Sequence, residues 1–428
     1  MNRLQSRLGF LMLTAGCAVG LGNVWRFPFV VGKNGGAAFV LVYLIFLLIL
    51  GFPLLTAELA LGRGSGSGLE GAYKRLSSTH SRLWGILGTV IFSGNVLLMI
   101  YYTSVAGWLE SFMVSYLTSG SARDFSSLLA SAPTSGAYMF SAVAIATLIC
   151  ALGLNRGVER ITKVMMISLL ALISMIAVKA LSLPGAMKGV EFYLKPDFAP
   201  LLASPLSFCF DAMAQAFFTL SVGVGAMTIF GSYIDKRYSL AKEASLIIMI
   251  DTFVAFISGL VVFPACAAFG IDVKAGPGLI FEALPSVFSS MTGGGLWGFI
   301  FFLFLSLAAL TTVVAVFECI IAGFEKLFDL SRLKAVMLTG LTVAILSLPC
   351  VLFKGVLEIE DFVFSQFWLP IGGLSMCLFV SLKSGWAYDE FAAEVATGEG
   401  FGFPRFFRYL FRYAIPALIA LIVIGGVS

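Results

Sequence analysis

Eleven apolar stretches, each long enough to cross a membrane, follow one another along this chain of 428 residues. A helix needs about 20 mainly apolar residues to cross a bilayer. The stretches occupy residues 8–32, 37–61, 84–117, 136–154, 161–182, 206–233, 240–269, 294–324, 334–353, 361–382 and 407–427. Because the connections between them are short, the sequence predicts one all-α polytopic membrane domain over residues 1–428.

Composition excludes the soluble classes of protein. Only 12% of the residues are charged, against about 25% in a typical soluble domain. A net charge of +4, spread over many loops, makes no basic patch for nucleic acid. The single histidine, His80, excludes a His-ligated metal centre, and the 7 scattered cysteines contain no CxxC pair. No cofactor is expected.

The distribution of Lys and Arg predicts the orientation in the membrane. With the N-terminus inside, most of the 27 basic residues fall in cytoplasmic loops, as the positive-inside rule requires. We therefore expect a multi-pass protein of the cell inner (plasma) membrane, with a cytoplasmic N-terminus and an external C-terminus.

Two stretches carry the same V-G-x-G motif at mid-membrane, at residues 19–22 and 222–225. Glycine costs about 1 kcal/mol relative to alanine inside a helix, so these motifs favour interruption of helices 1 and 6. Close helix packing is the alternative explanation. The motifs occupy matching places in two five-helix halves, residues 8–182 and 206–382, and an extra helix follows at 407–427. Matched interrupted helices in inverted repeats indicate a transporter binding site.

Short sequence strings from the first stretch to the tenth form a set in a fixed order. They are RLGF at 7–10, GCAVGLGNVWRFP at 16–28, NGGAAF at 34–39, PLLTAELALGR at 53–63, YY at 101–102, QAFFTLSVGVG at 215–225, GSY at 231–233, LTT at 310–312 and DF at 361–362. With these strings the chain resembles the neurotransmitter:sodium symporter family, in particular its bacterial, leucine-transporter-like amino-acid transporters. The family usually has twelve helices, one more than here.

The resemblance implies two sodium sites. The first would use the Ala18 carbonyl, the side chains of Asn23, Thr219 and Asp251, and the substrate carboxylate. The second would use the carbonyls of Gly16, Val19 and Ala308 and the hydroxyls of Thr311 and Thr312. Hydroxyls that bond to their own helix carbonyls are the alternative for the threonine pair.

The resemblance also implies a pocket for an intact α-amino acid. Its lining would be Cys17, Ala18, Gly20, Leu21, Gly22, Leu98, Tyr102, Phe218, Thr219, Ser221, Val224, Val313 and Val316. Amine carriers of the family have aspartate in place of Gly20. The side-chain compartment of Leu98, Val224, Val313 and Val316 is uncharged, which favours a hydrophobic or aromatic substrate because unpaired polar groups there would be costly.

The same resemblance makes Arg26 and Asp361 the outer gate, with Tyr102 and Phe218 as an aromatic lid and residues 276–290 as an external lid. Inner-gate candidates are Arg3, Glu325 and Tyr233, with no pair assigned.

Two carboxylates receive roles by the same comparison. Asp251 stands where chloride-dependent relatives have asparagine, and Ala255 where they have serine, so transport is expected to be chloride-independent. A buried aspartic acid satisfied by helix backbone is the alternative. Glu58 is expected to brace the backbone near the break of the first helix.

The leading hypothesis is a sodium-coupled symporter, not an enzyme, that works by alternating access. A channel would need a continuous polar stripe, and a membrane enzyme would need a convergent catalytic site.

Overall fold

The computed structural model describes residues 4–271 and 279–425, and this part of the chain is almost entirely helical. In its first half the helices are α1 (Arg7–Ala18), α2 (Gly22–Lys33), α3 (Ala37–Ser65), α4 (Leu69–Leu76), α5 (Ser81–Ser119), α6 (Phe125–Ala130), α7 (Ala132–Ala151), α8 (Leu154–Leu181), α9 (Ala186–Leu194) and α10 (Ala199–Ala203). In its second half they are α11 (Pro205–Thr219), α12 (Ala226–Gly231), α13 (Leu240–Phe269), α14 (Leu284–Ser290), α15 (Gly294–Leu327), α16 (Arg332–Leu352), α17 (Val356–Ser381), α18 (Tyr388–Val395) and α19 (Phe407–Gly425). The all-α fold class predicted from the sequence is confirmed.

Within the described ranges, 9 helices are long and apolar enough to cross a membrane. Helices α1 and α2 together form a further span that is bent by 55° at residues 19–21. The sixth predicted stretch is divided more deeply, because a helix of 15 residues and a helix of 6 residues flank the non-helical residues 220–225. Neither piece alone is long enough to span, so ten rather than eleven spans are recognised by length.

Backbone conformation explains the break between α11 and α12. Ser221, Gly223 and Gly225 all have positive φ, at 50°, 114° and 76°. Two of these three residues are glycines, which adopt such conformations without a Cβ clash. A Cβ on Gly223 would also lie 2.3 Å from the Leu369 carbonyl oxygen of α17, so the close approach of α17 requires glycine as well.

The long helix α15 lies at the centre of the molecule. Its residues 313–316 are completely inaccessible to solvent, and it packs against α1, α5, α7 and α8. The last helix, α19, lies at the periphery, where Leu421 and Ile424 are more than half exposed. The two breaks therefore lie beside a buried central helix, and polar groups freed by the breaks must find partners inside the protein.

Candidate functional site

A cluster of polar side chains joins the two helix breaks to α13. The Asn23 amide Nδ2 donates to Asp251 Oδ1 at 2.8 Å and approaches Thr219 Oγ1 at 3.2 Å and the Asp251 carbonyl oxygen at 3.1 Å. Thr219 Oγ1 donates to Asp251 Oδ2 at 3.0 Å, and Gly20 N donates to Asn23 Oδ1 at 3.1 Å. All three side chains predicted for the first sodium site are fully or almost fully buried and in direct contact.

A second group of oxygens lies where α15 passes α1. Thr312 Oγ1 is 3.3 Å from the carbonyl oxygens of both Gly16 and Val19, and 3.4 Å from that of Ala308. Thr311 Oγ1 donates to the Ala308 carbonyl at 2.9 Å, which is the within-helix bond considered as the alternative. The carbonyls of Gly16 and Val19 face α15 because α1 ends at Ala18 and Val19 has an extended ψ of 102°.

Both groups fit a hard alkali cation. Every predicted side-chain ligand offers an oxygen, from a carboxylate, a hydroxyl or the Asn23 amide, and oxygen is the donor atom that hard cations take. In the first group a single carboxylate, Asp251, would balance the charge of one monovalent ion. In the second group the oxygens are neutral carbonyls and hydroxyls.

A small cavity of about 20 Å³ lies between these two groups. It has space for about one water molecule. Ten predicted substrate residues line it, from Cys17 on the first segment to Ser221 at the second break. Its complete lining is Cys17, Ala18, Gly20, Leu21, Gly22, Leu98, Tyr102, Phe218, Thr219, Ser221, Thr312, Phe364 and Leu369.

Three predicted pocket residues lie outside this lining. Val224, Val313 and Val316 are fully buried, and the Val224 carbonyl accepts a hydrogen bond from Asn95 Nδ2 at 2.8 Å. In their place Phe364 and Leu369 of α17 reach the cavity, which the sequence analysis did not foresee.

One end of the cavity is polar. Leu21 N donates to the Tyr102 hydroxyl at 3.3 Å. A Cβ on Gly20 would lie 2.7 Å from that hydroxyl oxygen and 2.9 Å from Thr312 Oγ1. A side chain at residue 20 would push these two groups apart, and an aspartate there would not fit this arrangement.

A larger cavity of about 500 Å³, here called the vestibule, lies beyond Tyr102 and Phe218. Its lining includes Trp25, Arg26, Lys33, Tyr101, Tyr102, Asp211, Phe218, Glu358 and Asp361. The Arg26 guanidinium lies 4.2 Å from the centre of the Phe218 ring. Arg26 and Asp361 line the same cavity, but no ion pair between them is found in the described part of the chain.

Glu58 braces the second break and not the first, contrary to expectation. Its Oε1 accepts from Gly223 N at 2.5 Å and Gly225 N at 3.4 Å, and its Oε2 accepts from Met227 N at 3.0 Å. The reason is that α3 packs along α12, whose first backbone N–H groups have no partner within the helix.

Ion pairs tie together the opposite face, here called the N-terminal face and defined by Arg7, Arg63 and Arg332. Arg332 pairs with Glu318 at 2.7 Å, and the Tyr233 hydroxyl donates to the same carboxylate at 3.2 Å. Arg7 pairs with Glu243 at 2.7 Å.

Sequence reasoning assigned Glu318 no role. The sequence does carry one signal for its role. Glu318 is a carboxylate inside an apolar stretch, and Arg332, a residue that could pair with it, follows 14 residues later. Of the inner-gate candidates, Tyr233 joins this network, and Arg3 lies outside the described residues. Part of the expected external lid, residues 276–278, also lies outside them, and α14 forms its far end.

The chain is similar to known proteins over its whole length. The model of the sodium:neurotransmitter symporter family matches residues 2–127 and 126–428. YhdH, an uncharacterised sodium-dependent transporter of Bacillus subtilis, is 33% identical over 98% of this chain and 96% of its own length. An uncharacterised sodium-dependent transporter of Haemophilus influenzae is 31% identical over 99% and 97%. The sodium-dependent serotonin transporter of Drosophila melanogaster is 27% identical over 98% of this chain and 75% of its own length.

A solved structure has the same fold as this chain. The crystal structure of MhsT in complex with L-phenylalanine superposes with a TM-score of 0.86 at 32% identity, covering 100% of both chains. The matching family is one of sodium-dependent membrane transporters and not of enzymes. The chain therefore belongs to the sodium:neurotransmitter symporter family.

Proposed function

We propose that this protein is a sodium-coupled symporter of a hydrophobic or aromatic α-amino acid. One observation carries the proposal: the buried Asn23–Thr219–Asp251 cluster adjoins an uncharged cavity with a polar end at Tyr102. Sodium and substrate would therefore bind side by side, so that each raises the affinity for the other. Two sodium ions are proposed, one at this cluster and one at the Thr312 group.

The polar end of the cavity supports an α-amino acid as substrate. The Tyr102 hydroxyl and the N–H groups of Leu21 and Gly22 would hold the carboxylate, and the carbonyls of Phe218 and Ser221 would accept from the amine. The family resemblance makes the substrate carboxylate a ligand of the first sodium ion, so the substrate would complete that site's ligand set. A lining without Asp, Glu, Lys or Arg favours an apolar side chain, as does the phenylalanine complex of MhsT.

Asp251 carries the further proposal that transport does not require chloride. Its carboxylate lies within hydrogen-bond distance of Asn23 and Thr219, so it would neutralise the adjacent sodium ion without a second anion. Asn23 Nδ2 donates to the Thr219 and Asp251 oxygens, and sodium would replace these N–H groups as the partner of the same oxygens, with Asn23 coordinating through its amide oxygen.

Alternating access would use the two faces of the molecule in turn. The positive-inside rule places the N-terminal face in the cytoplasm and the vestibule outside. Closure of the vestibule would bring Arg26 and Asp361 together above Phe218. Opening of the N-terminal face would separate the Glu318–Arg332 and Arg7–Glu243 pairs.

Uptake into proteoliposomes tests this function. We expect labelled L-phenylalanine to accumulate against its gradient when external sodium is supplied, and not with choline in its place. Gluconate in place of chloride should leave the rate unchanged. Competition by each of the twenty amino acids then defines the substrate class. Equilibration without accumulation would indicate a channel, and strict chloride dependence would overturn the role of Asp251.

A further inference from the structure

The segment 364–368 of α17 is a π-turn that brings two side chains into the cavity. The Leu369 N–H donates to the Phe364 carbonyl, five residues earlier. In a regular α-helix each residue turns the chain by about 100°, so residues five apart point about 140° away from each other. The wider turn instead stacks Phe364 and Leu369 on one face, and both line the cavity.

A proline explains why the turn occurs here. Pro370 cannot donate a backbone hydrogen bond, and its ring would clash with the carbonyl of residue 366 in a regular helix. Four other π-turns, at Gly22–Arg26, Leu47–Gly51, Leu279–Ala283 and Leu410–Ala414, also end two residues before a proline. The local sequence around Pro370 therefore sets the register in which Phe364 faces the cavity.

Contacts around the turn hold Phe364 in place. Trp368 Nε1 donates to the Ile91 carbonyl oxygen at 3.2 Å, which anchors the end of the π-turn. The Phe364 ring lies 6.1 Å from the Tyr101 ring between centroids, and the side chain is only 2% exposed. The Leu369 carbonyl lies against Gly223, so α17 also touches the second helix break. Contacts with α5 and with the second helix break therefore hold the Phe364 side of the cavity in place.

We propose that Phe364 is the specificity-determining residue that limits the size of the substrate side chain. This inference rests on the proposed amino-acid transport. With the α-carboxylate at Tyr102 and Leu21, the larger apolar residues of the lining that remain for the side chain are Leu98, Phe218, Phe364 and Leu369. The cavity holds only about 20 Å³, so a large side chain requires a neighbouring side chain to move. Phe218 contacts Arg26 on the vestibule side, and Phe364 is the aromatic ring that limits the cavity on the α17 side. Removal of a buried ring opens space on the order of a benzene molecule, because an engineered apolar cavity of about 150 Å³ binds benzene.

Purified protein with a binding readout tests the proposal. The measurement is the shift in melting temperature with increasing L-valine, L-phenylalanine or L-tryptophan in sodium buffer, which yields a Kd for each. We expect Phe364→Ala to raise the preference for L-tryptophan over L-valine by about tenfold or more, the scale of a methylene-sized change in an apolar pocket. Phe364→Leu should shift the preference in the same direction by a smaller factor. This variant replaces Phe364→Ala in the test if the alanine variant does not fold.

Phe367→Ala is the matched control. Phe367 belongs to the same π-turn and is half-buried, but it lines neither cavity. We expect Phe367→Ala to leave the preference for L-tryptophan over L-valine unchanged. An unchanged preference in Phe364→Ala and Phe364→Leu, with binding retained, would overturn the role of Phe364 alone. Absence of binding of any amino acid to the wild-type protein would instead overturn the proposed function and this inference together.

Discussion

Asp251 supplies the carboxylate of the proposed first sodium site. Its two carboxylate oxygens contact different partners, Asn23 on one side and Thr219 on the other. Neither contact is the helix backbone bond considered as the alternative. A buried carboxylate held only by neutral groups gains most from a cation, because burial strengthens charge–charge interactions.

We expect Asp251→Asn to lose sodium-driven uptake or to make it sensitive to chloride. The change keeps the shape of the side chain but removes the charge that balances sodium. The measurement is uptake by wild type and variant in chloride and in gluconate. Glu110→Gln is the control, because Glu110 is a buried carboxylate of α5 outside both oxygen groups. Chloride-independent uptake at the wild-type rate in Asp251→Asn would contradict the prediction.

The threonine pair on α15 gives a second prediction at this scale. Thr311→Val with Thr312→Val keeps side-chain volume and removes two hydroxyl oxygens from the second group. Sodium-driven uptake should collapse while the protein still inserts and elutes as a single species. Thr339→Val, at a buried position on α16, serves as the control. Normal sodium dependence in the double variant would exclude these hydroxyls from the site.

At the scale of helices, the two breaks depend on partners outside themselves. Glu58 on α3 accepts hydrogen bonds from three backbone N–H groups at the second break. These groups are buried, and a buried donor without a partner costs about 1–3 kcal/mol. The break is therefore stabilised by α3 as much as by its own glycines.

Glu58→Gln should destabilise the protein by about 2 kcal/mol, the scale of a charge-assisted hydrogen bond. The amide retains one acceptor oxygen, but its NH₂ group then faces a backbone donor. The measurement is thermal unfolding in detergent, with sodium-dependent binding recorded alongside. Thr56→Val is the control, since the Thr56 hydroxyl bonds only to Phe52 O of its own helix. An unchanged melting temperature would show that water or other groups can replace the carboxylate.

The helix breaks could be predicted from the sequence, and the residues proposed as sodium ligands lie together, whereas the far wall of the cavity could not be predicted. Glycines with positive φ leave a direct trace, as at Gly223 and Gly225. The π-turn before Pro370 changes which residue faces the cavity without changing composition, so Phe364 was missed and Val224 was expected instead. Prolines inside apolar stretches were the available signal, because a regular helix cannot place a carbonyl beside the proline ring.

At the scale of the whole molecule, the two faces differ in their ion pairs. Arg26 and Asp361 line the vestibule with no ion pair between them among the described residues, whereas Arg7, Arg63 and Arg332 of the N-terminal face each pair with a carboxylate. The Glu318 carboxylate is fully buried and contacts both Arg332 and Tyr233, so it links α15 to α16 and to the segment after α12. Loss of one partner from a buried ion pair costs about 3–5 kcal/mol, enough to shift a conformational equilibrium strongly.

We expect Arg26→Gln or Asp361→Asn to slow transport more than it weakens equilibrium binding. The two charges would meet only when the vestibule closes, and across a partly hydrated cavity their attraction is modest. The measurement is the uptake rate beside the Kd for L-phenylalanine. An equally large fall in the uptake rate and in the affinity for L-phenylalanine would indicate a structural role for the pair.

Glu318→Gln should open the N-terminal face and expose Cys17 from that side. Cys17 lines the cavity and is buried in the present state, so its thiol reports on access from either face. In a background where the other cysteines are replaced, the measurement is the rate of Cys17 labelling by an impermeant thiol reagent in membranes of known orientation.

Labelling of Cys17 from the N-terminal face should rise several-fold in Glu318→Gln and fall again when sodium is added, because sodium would favour the state with the vestibule open. Asp389→Asn is the control, since Asp389 pairs with Arg408 at the surface and not in the path to the cavity. If the Glu318–Arg332 pair closes the path to the cavity, Cys17 labelling rises in Glu318→Gln and stays at the wild-type rate in Asp389→Asn. Equal labelling rates in wild type and Glu318→Gln would mean that Arg7 and Glu243, with the other contacts of α1, keep this face closed without it.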